Sequence, residues 1–124
     1  MRILIIDDMQ IRHDVLEKEY RNDSIAIIDH AFNVEQAKKF IGDLYYQGGI
    51  EYDLISFDHD LCDFDESGKE YTGVTVARWM AENMITCGEV RVHSANPVGA
   101  QNILSIVKSG SIAESFYHKL ACDN

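Results

Sequence analysis

The stretch 52–61, YDLISFDHDL, places a run of mostly apolar residues directly before a run of ionisable ones. Its first half, up to Phe57, suits a strand buried on both faces, because such strands read as near-continuous hydrophobic runs. Its second half carries Asp58, His59 and Asp60. Ligands of open α/β sheets bind beyond the carboxyl ends of the strands. The stretch therefore predicts a buried parallel strand with a site for a cation or a phosphate at its end.

Short apolar runs alternate with helical patterns along the rest of the chain. Strands are predicted at 2–6, 25–28, 54–57, 89–93 and 112–117, and helices at 10–20, 34–44, 73–84 and 97–108. Such alternation implies βαβ units with right-handed crossovers, which place helices on both faces of a parallel sheet. The sequence thus predicts a single α/β domain over residues 1–124, a flavodoxin-like doubly wound sheet of about five strands in the order 2-1-3-4-5.

That strand order makes the first and third strands neighbours. Asp7 and Asp8 end the first strand, so we expect them to meet Asp58 and Asp60 at one edge of the sheet. Hard divalent cations prefer oxygen ligands. These carboxylates are therefore predicted to bind Mg²⁺ or Mn²⁺. The alternative is that acidic residues only end strands and cap helices here.

Two histidines are candidates for proton transfer at the same edge. His59 follows the third strand and His93 ends the fourth, which would be adjacent. A base that activates water and an acid that protonates a leaving oxygen are roles suited to imidazoles near neutral pH. Either His could instead be a metal ligand or a structural residue.

Two predicted helix starts lie close to these histidines. Thr72 and Asn96 are predicted N-caps, and helix N-termini bind anions through free N–H groups and the dipole. Gly73 and Gly99 would let a phosphate approach the backbone closely, and Ser94 could donate a hydrogen bond to it. Ordinary capping is the alternative interpretation of both starts.

Charge and cysteine content limit the classes of partner. The formal net charge is −10, from 21 Asp and Glu against 11 Lys and Arg, which disfavours a long groove for duplex nucleic acid but not a small anionic ligand. Three widely spaced cysteines predict neither a disulfide framework nor a zinc motif. The apolar run after Met1 is too short for a secretory signal or a membrane span, so we expect a cytoplasmic protein without a membrane partner.

Other residues are assigned to structure rather than chemistry. Ile11 and Val15 are predicted to belong to the apolar stripe of the first helix, and Trp79 and the Met residues of the third helix to the core. The segment 59–71 is predicted to be the longest irregular stretch, and loops of this length in compact domains are often functional.

Short motifs in this chain resemble response-regulator receiver domains. The acidic pair 7–8, the strand 53–58 (DLISFD) and the Ser94-Ala95 step are similar to receiver motifs, whereas the receiver Lys-Pro step is missing and Lys119 is the nearest candidate. A closer resemblance is to the divergent cyclic-phosphate-processing receiver-like domains. It is carried by four segments: Asp7-Asp8, Asp58-His59-Asp60-Leu61, Thr72-Gly73 and the stretch 93–99, HSANPVG. This resemblance implies hydrolysis of a cyclic phosphate, such as a 2′,3′-cyclic end of RNA.

The combined prediction is a phosphodiesterase that hydrolyses an RNA terminus or a cyclic nucleotide. His59, His93 and Asp58 would be catalytic, and the helix-start residues would position the phosphate. One alternative is a stand-alone receiver that is phosphorylated on Asp58 and recognised by a partner. Another is a non-catalytic module that binds a nucleotide or a protein.

Overall fold

A four-stranded parallel sheet forms the centre of the computed structural model, which describes residues 1–21, 25–93 and 96–107. Its strands lie in the order β2-β1-β3-β6, which confirms the predicted 2-1-3-4 arrangement. A two-stranded antiparallel hairpin, β4-β5, lies apart from it. The elements in chain order are β1 (Arg2–Ile6), α1 (Gln10–Tyr20), β2 (Ile27–Ala31), α2 (Val34–Gly42), β3 (Leu54–Phe57), β4 (Asp63–Phe64), β5 (Glu70–Tyr71), α3 (Gly73–Glu82), β6 (Glu89–Val92) and α4 (Pro97–Ile106).

Apolar side chains cover both faces of the sheet. The larger cluster packs β1, β3 and β6 against α2, α3 and α4, and centres on Phe57, Ile55 and Met80. The smaller cluster packs the opposite face against α1 through Leu16. Burial on both faces explains why β3 reads as a nearly unbroken apolar run.

Strand β2 differs from its prediction. Pairing with β1 begins at Ile27 and continues to Ala31, so Asp29 and His30 lie inside the strand and not beyond its end. Asp29 accepts a hydrogen bond of 2.6 Å from the Tyr52 hydroxyl and pairs with Arg2. The prediction placed the end of β2 too early because it followed apolar runs, and Asp29 and His30 interrupt the apolar run inside the strand.

The segment 59–71 is more regular than predicted. It contains the β4-β5 hairpin, whose turn includes Gly68 at a φ of +87° and is held by Asp65, which accepts hydrogen bonds from the Ser67 and Lys69 amides. The second helix also extends beyond Gly42 as a π-helical turn over Asp43–Gln47. The predicted fifth strand at 112–117, Lys119 and Ser94 lie outside the described residues.

Some predicted core residues are on the surface. Ile11 and Val15 of α1 are exposed, and the buried residues of that helix are His13 and Leu16. Met84 follows the end of α3 and is exposed, while Trp79 is only half-buried. In the part of the chain that the structure describes, every helix is too short or too polar to cross a bilayer.

The two predicted N-caps are confirmed: Thr72 accepts from the Val74 amide at 3.1 Å, and Asn96 from the Gly99 amide at 3.0 Å. Asn33 caps α2 in the same way and accepts from the Gln36 amide at 2.8 Å. The caps of α3 and α4 matter most for the site, because both helices begin beside the ends of the central strands. Each cap fixes where its helix starts.

Gly73, the first residue of α3, packs against the backbone that follows β3. A Cβ at this position would overlap the Asp58 carbonyl oxygen and lie 2.9 Å from Ile103 Cδ1. The Gly73 amide also donates a hydrogen bond of 2.9 Å to the His59 carbonyl. The close approach therefore needs glycine.

We predict that Gly73→Ala lowers the free energy of unfolding by about 1–3 kcal/mol, because the methyl group forces backbone apart in a packed region. Urea denaturation followed by circular dichroism measures this change. Gly48→Ala is the matched control, since its new methyl group would meet nothing closer than Ile50 Cδ1 at 3.5 Å. Equal stability of the two variants would contradict the role given to Gly73.

Candidate active site

Three ionisable residues follow the ends of three neighbouring strands. Their backbone amides continue the sheet ladder by one residue: Asp7 donates to the Ala31 carbonyl at 3.1 Å, Asp58 to Ile6 at 2.9 Å and His93 to Phe57 at 3.0 Å. Ligand atoms of the three side chains all lie within 4.8 Å of one another. The predicted convergence of Asp7, Asp58 and His93 is therefore present, and the sheet itself holds it.

The carboxylates of Asp7 and Asp58 both contact the guanidinium of Arg12. Asp7 is fully buried and Asp58 is 2% exposed. The Arg12 Nη1 atom of α1 lies 3.2 Å from Asp58 Oδ2 and 3.5 Å from Asp7 Oδ2. The Arg12 side chain is 48% exposed, so it reaches the pair from the solvent side. This guanidinium offsets part of the repulsion between two buried acids.

His93 is held between two partners behind Asp7. Its Nε2 donates to Asp7 Oδ2 at 2.8 Å, and its Nδ1 lies 2.8 Å from Ser56 Oγ. Ser56 in turn accepts a hydrogen bond of 2.9 Å from the Tyr20 hydroxyl. These contacts fix the orientation of the imidazole, whose side chain is only 6% exposed.

The environments of the two carboxylates move their pKa values in opposite directions. Burial opposes ionisation of Asp7, but hydrogen bonds from His93 and the Met9 amide and the charges of His93 and Arg12 outweigh it and lower the pKa. Burial, followed by the charge of Asp7, raises the pKa of Asp58 to about 6. Such a split is typical of acid groups that exchange protons near neutral pH.

An open cleft of about 450 Å³ lies over Asp58. Its walls include the predicted residues Asp8, Asp60 and Asn96, together with Arg12. Cys62 also lines the cleft, where the negative charge of Asp8 and a hydrogen bond to it raise the pKa of the thiol. A thiol in this environment is a poor nucleophile, because the thiolate is the reactive form.

His59 lies against the start of α4. Its Nδ1 is 2.8 Å from Asp60 Oδ1 and 3.4 Å from Asn96 Nδ2. A Cβ on Gly99 would overlap the imidazole ring, so the glycine makes room for the ring rather than for a phosphate. The two predicted catalytic histidines therefore have separate contacts: His59 with Asp60 and Asn96, and His93 with Asp7 and Ser56.

Thr72 and Gly73, the predicted phosphate ligands, lie at the start of α3. The Thr72 hydroxyl caps α3 and lines a second cleft beside that helix, and Gly73 is buried against the Asp58 carbonyl. Ser94 lies outside the described residues. The sequence prediction also missed Arg12, Ser56 and Tyr20, although a single Ser within the apolar run of β3 was an available signal.

A buried histidine supports the site from below. His13 Nε2 donates to the Asp7 carbonyl at 2.7 Å, and its Nδ1 lies 2.7 Å from His30 Nδ1. The other ring nitrogen of His30 is 3.1 Å from Glu17 Oε1. Burial lowers the pKa of His13. This series of hydrogen bonds connects the Asp7 backbone to β2 and α1.

One family model matches most of the chain. The model of the family described as "Cyclic-phosphate processing Receiver domain" matches residues 2–109. A search of curated proteins found no match.

Solved receiver structures share the fold. The chain is similar to the phosphorylated cyanobacterial phytochrome response regulator RcpA, with 13% identity and a TM-score of 0.62 over 98% of this chain and 89% of that one. It is also similar to a response regulator from Burkholderia pseudomallei that carries a phosphorylated aspartic acid, a calcium ion and citrate. That match has 14% identity and a TM-score of 0.61, and covers 99% of this chain and 74% of the other.

We predict that Asp58→Asn stabilises the protein by about 3 kcal/mol at pH 8 and has little effect below pH 4. The pKa of Asp58 rises from 3.8 unfolded to about 6 folded, so the folded state holds the proton longer. The contribution of Asp58 to the free energy of unfolding is therefore fully present below pH 3.8 and is lost as the pH rises through 6. Asn removes that loss.

Urea denaturation of the two proteins across this pH range measures the difference. Asp14→Asn, on the exposed side of α1, is the matched control. A constant difference at every pH between parent and Asp58→Asn would contradict the raised pKa.

Proposed function

The chain belongs to the cyclic-phosphate processing receiver domain family, and on that premise we propose that it is a phosphoric diester hydrolase acting on a cyclic phosphate. The observation that carries the proposal is Asp58, a carboxylate with a pKa of about 6 that lies under an open cleft beside the Arg12 cation. A group that titrates near neutral pH can both take and return a proton. Hydrolysis of a cyclic diester needs both transfers.

Asp58 is the base in this proposal. In its ionised form it takes a proton from a water molecule in the cleft while the water oxygen bonds to phosphorus. The bond from phosphorus to one ribose oxygen breaks, and His59 gives that oxygen its proton. Strain in a five-membered phosphate ring favours opening. His93 takes no part in these transfers directly and acts as a positioning residue through Asp7.

Arg12 and the start of α4 would bind the phosphate oxygens. Arg12 uses Nη1 on the carboxylates and is 48% exposed, so its other N–H groups can donate to an anion in the cleft. Asn96 lines the same cleft at the N-terminus of α4, where the helix dipole favours negative charge. Together they supply positive potential in a protein whose net charge is −10.

The donor set also fits a divalent cation such as Mg²⁺ or Mn²⁺. Asp7 and Asp58 offer buried carboxylate oxygens, with Asp8 and Asp60 on the adjacent cleft wall. A bound cation would neutralise charge on the phosphate oxygens. It would have to share or replace the contacts that Arg12 makes with the pair.

A second candidate function is a receiver that is phosphorylated on Asp58. It is favoured by the position of Asp58 directly after β3 and by a solved structure of similar fold that carries a phosphorylated aspartic acid. Asp58 lines an open cleft, through which a small phosphate donor could approach its carboxylate.

We predict that the protein hydrolyses a 2′,3′-cyclic nucleotide and that Asp58→Asn slows the reaction by about 100-fold or more, because it removes the base. Release of the linear nucleotide, followed by chromatography with and without Mg²⁺ or Mn²⁺, is the measurement. Asp14→Asn should keep the parent rate. If neither the parent nor Asp14→Asn hydrolyses a 2′,3′-cyclic or a 3′,5′-cyclic substrate, the hydrolase proposal is wrong.

Acetyl phosphate separates the two functions. Since the hydrolase proposal requires no phosphoenzyme, we predict that incubation with acetyl phosphate and Mg²⁺ leaves the intact mass unchanged. Mass spectrometry makes this measurement. A phosphate adduct in the parent that is absent from Asp58→Asn would favour the receiver instead.

A further inference from the structure

Some Lys and Arg side chains of this acidic protein form ion pairs with carboxylates, and others do not. Five of the nine Lys and Arg side chains in the described residues are paired with carboxylates: Arg2, Arg12, Arg21, Lys39 and Arg91. Lys38, Lys69 and Arg78 have no carboxylate within ion-pair distance among the residues that the structure describes, and all three line one cleft. Lys18, on α1, is also unpaired in this sense and lies elsewhere.

This α3 cleft has a volume of about 380 Å³ and also contains two aromatic side chains. Trp79 is half-buried in its wall, with Lys38 Nζ 5.9 Å from the ring centroid, and Tyr71 lies in the same wall. Two acids, Glu70 and Glu82, also line it, so that three cations face two carboxylates. Unpaired cations combined with accessible aromatic rings are the composition of grooves that bind single-stranded nucleic acid.

The α3 cleft begins next to the candidate active site. Thr72 lines it, and the following residue, Gly73, packs against the Asp58 carbonyl and donates its amide proton to the His59 carbonyl. A strand whose 3′ end occupied the cleft over Asp58 could therefore continue along the start of α3. The N-terminus of α3 thus lies between the α3 cleft, which Thr72 lines, and the backbone of Asp58 and His59.

We propose that the α3 cleft binds single-stranded RNA, namely the nucleotides that precede the reacting end. Lys38, Lys69 and Arg78 contact phosphates, and the exposed part of Trp79 stacks on a base. The substrate is then an RNA terminus and not a free cyclic nucleotide. This choice of substrate rests on the proposed function, whereas binding of the strand to the α3 cleft does not.

The two aromatic rings, and not the charges, favour nucleic acid over a peptide of acidic residues, because every base has a face that can stack on a ring whereas Asp and Glu side chains have none. Each phosphate that a cation neutralises on a single strand contributes about −0.7 to the slope of log K against log salt. Three cations predict a slope of about −2 at most, so binding is modest and sensitive to salt. The net charge of −10 for the whole chain limits the contact to this one area.

Trp79 is the only tryptophan of the chain, so its fluorescence reports directly on the α3 cleft. The experiment titrates the full chain with a short oligouridine ending in a 3′-hydroxyl at several salt concentrations. We expect saturable quenching of Trp79. Lys69→Ala and Arg78→Ala should each weaken binding and reduce the salt slope by about 0.7. Lys18→Ala, the matched control, should bind as the parent does.

Three results would overturn the proposal. They are no change in Trp79 fluorescence, equal binding by Arg78→Ala and Lys18→Ala, and equal quenching by a poly-glutamate peptide. The 3′-hydroxyl strand cannot be hydrolysed as a cyclic phosphate, so its binding is tested even if the hydrolase proposal fails. If both hold, a strand with a 2′,3′-cyclic end should show a lower KM than 2′,3′-cyclic nucleotide, and Arg78→Ala should raise only that KM.

Discussion

Two carboxylates buried side by side, Asp7 and Asp58, are the constraint on which the site depends. Like charges at this separation in a low-dielectric surrounding cannot both ionise without compensation. His93 donates to Asp7, and Arg12 contacts both acids. The compensation is unequal, so Asp7 stays ionised and Asp58 keeps a proton up to a pH of about 6. The proton-exchanging character of the site follows from that inequality.

Helix α1 supplies much of this arrangement. An ordinary amphipathic helix would bury an apolar stripe, but α1 exposes Ile11 and Val15 and buries His13. It directs Arg12 to the carboxylates, and its last residue, Tyr20, donates to Ser56 beneath His93. The helix therefore gives up apolar burial, worth about 1.5–3 kcal/mol for each large side chain, in exchange for polar contacts around Asp7.

The backbone of the site was predictable from the sequence, and much of its side-chain geometry was not. Parallel strands with acidic or His ends imply convergence, and Asp7, Asp58 and His93 do converge. Arg12 was missed because the period of a helix does not show which exposed cation turns back to the sheet. Asp29 and His30 were placed beyond β2 because polar pairs inside a strand look like its end. Hydrogen bonds between residues far apart in the sequence determine both the direction of Arg12 and the end of β2.

Direct titration of the two carboxyl groups tests the central claim, the unequal ionisation of the acid pair. Carbon-detected NMR of the Asp side-chain carboxyl signals, assigned with Asp58→Asn, follows each group across pH. We expect Asp58 to titrate near pH 6 and Asp7 below 3.8. Two ordinary titrations near pH 3.8, with no signal changing near pH 6, would contradict the account.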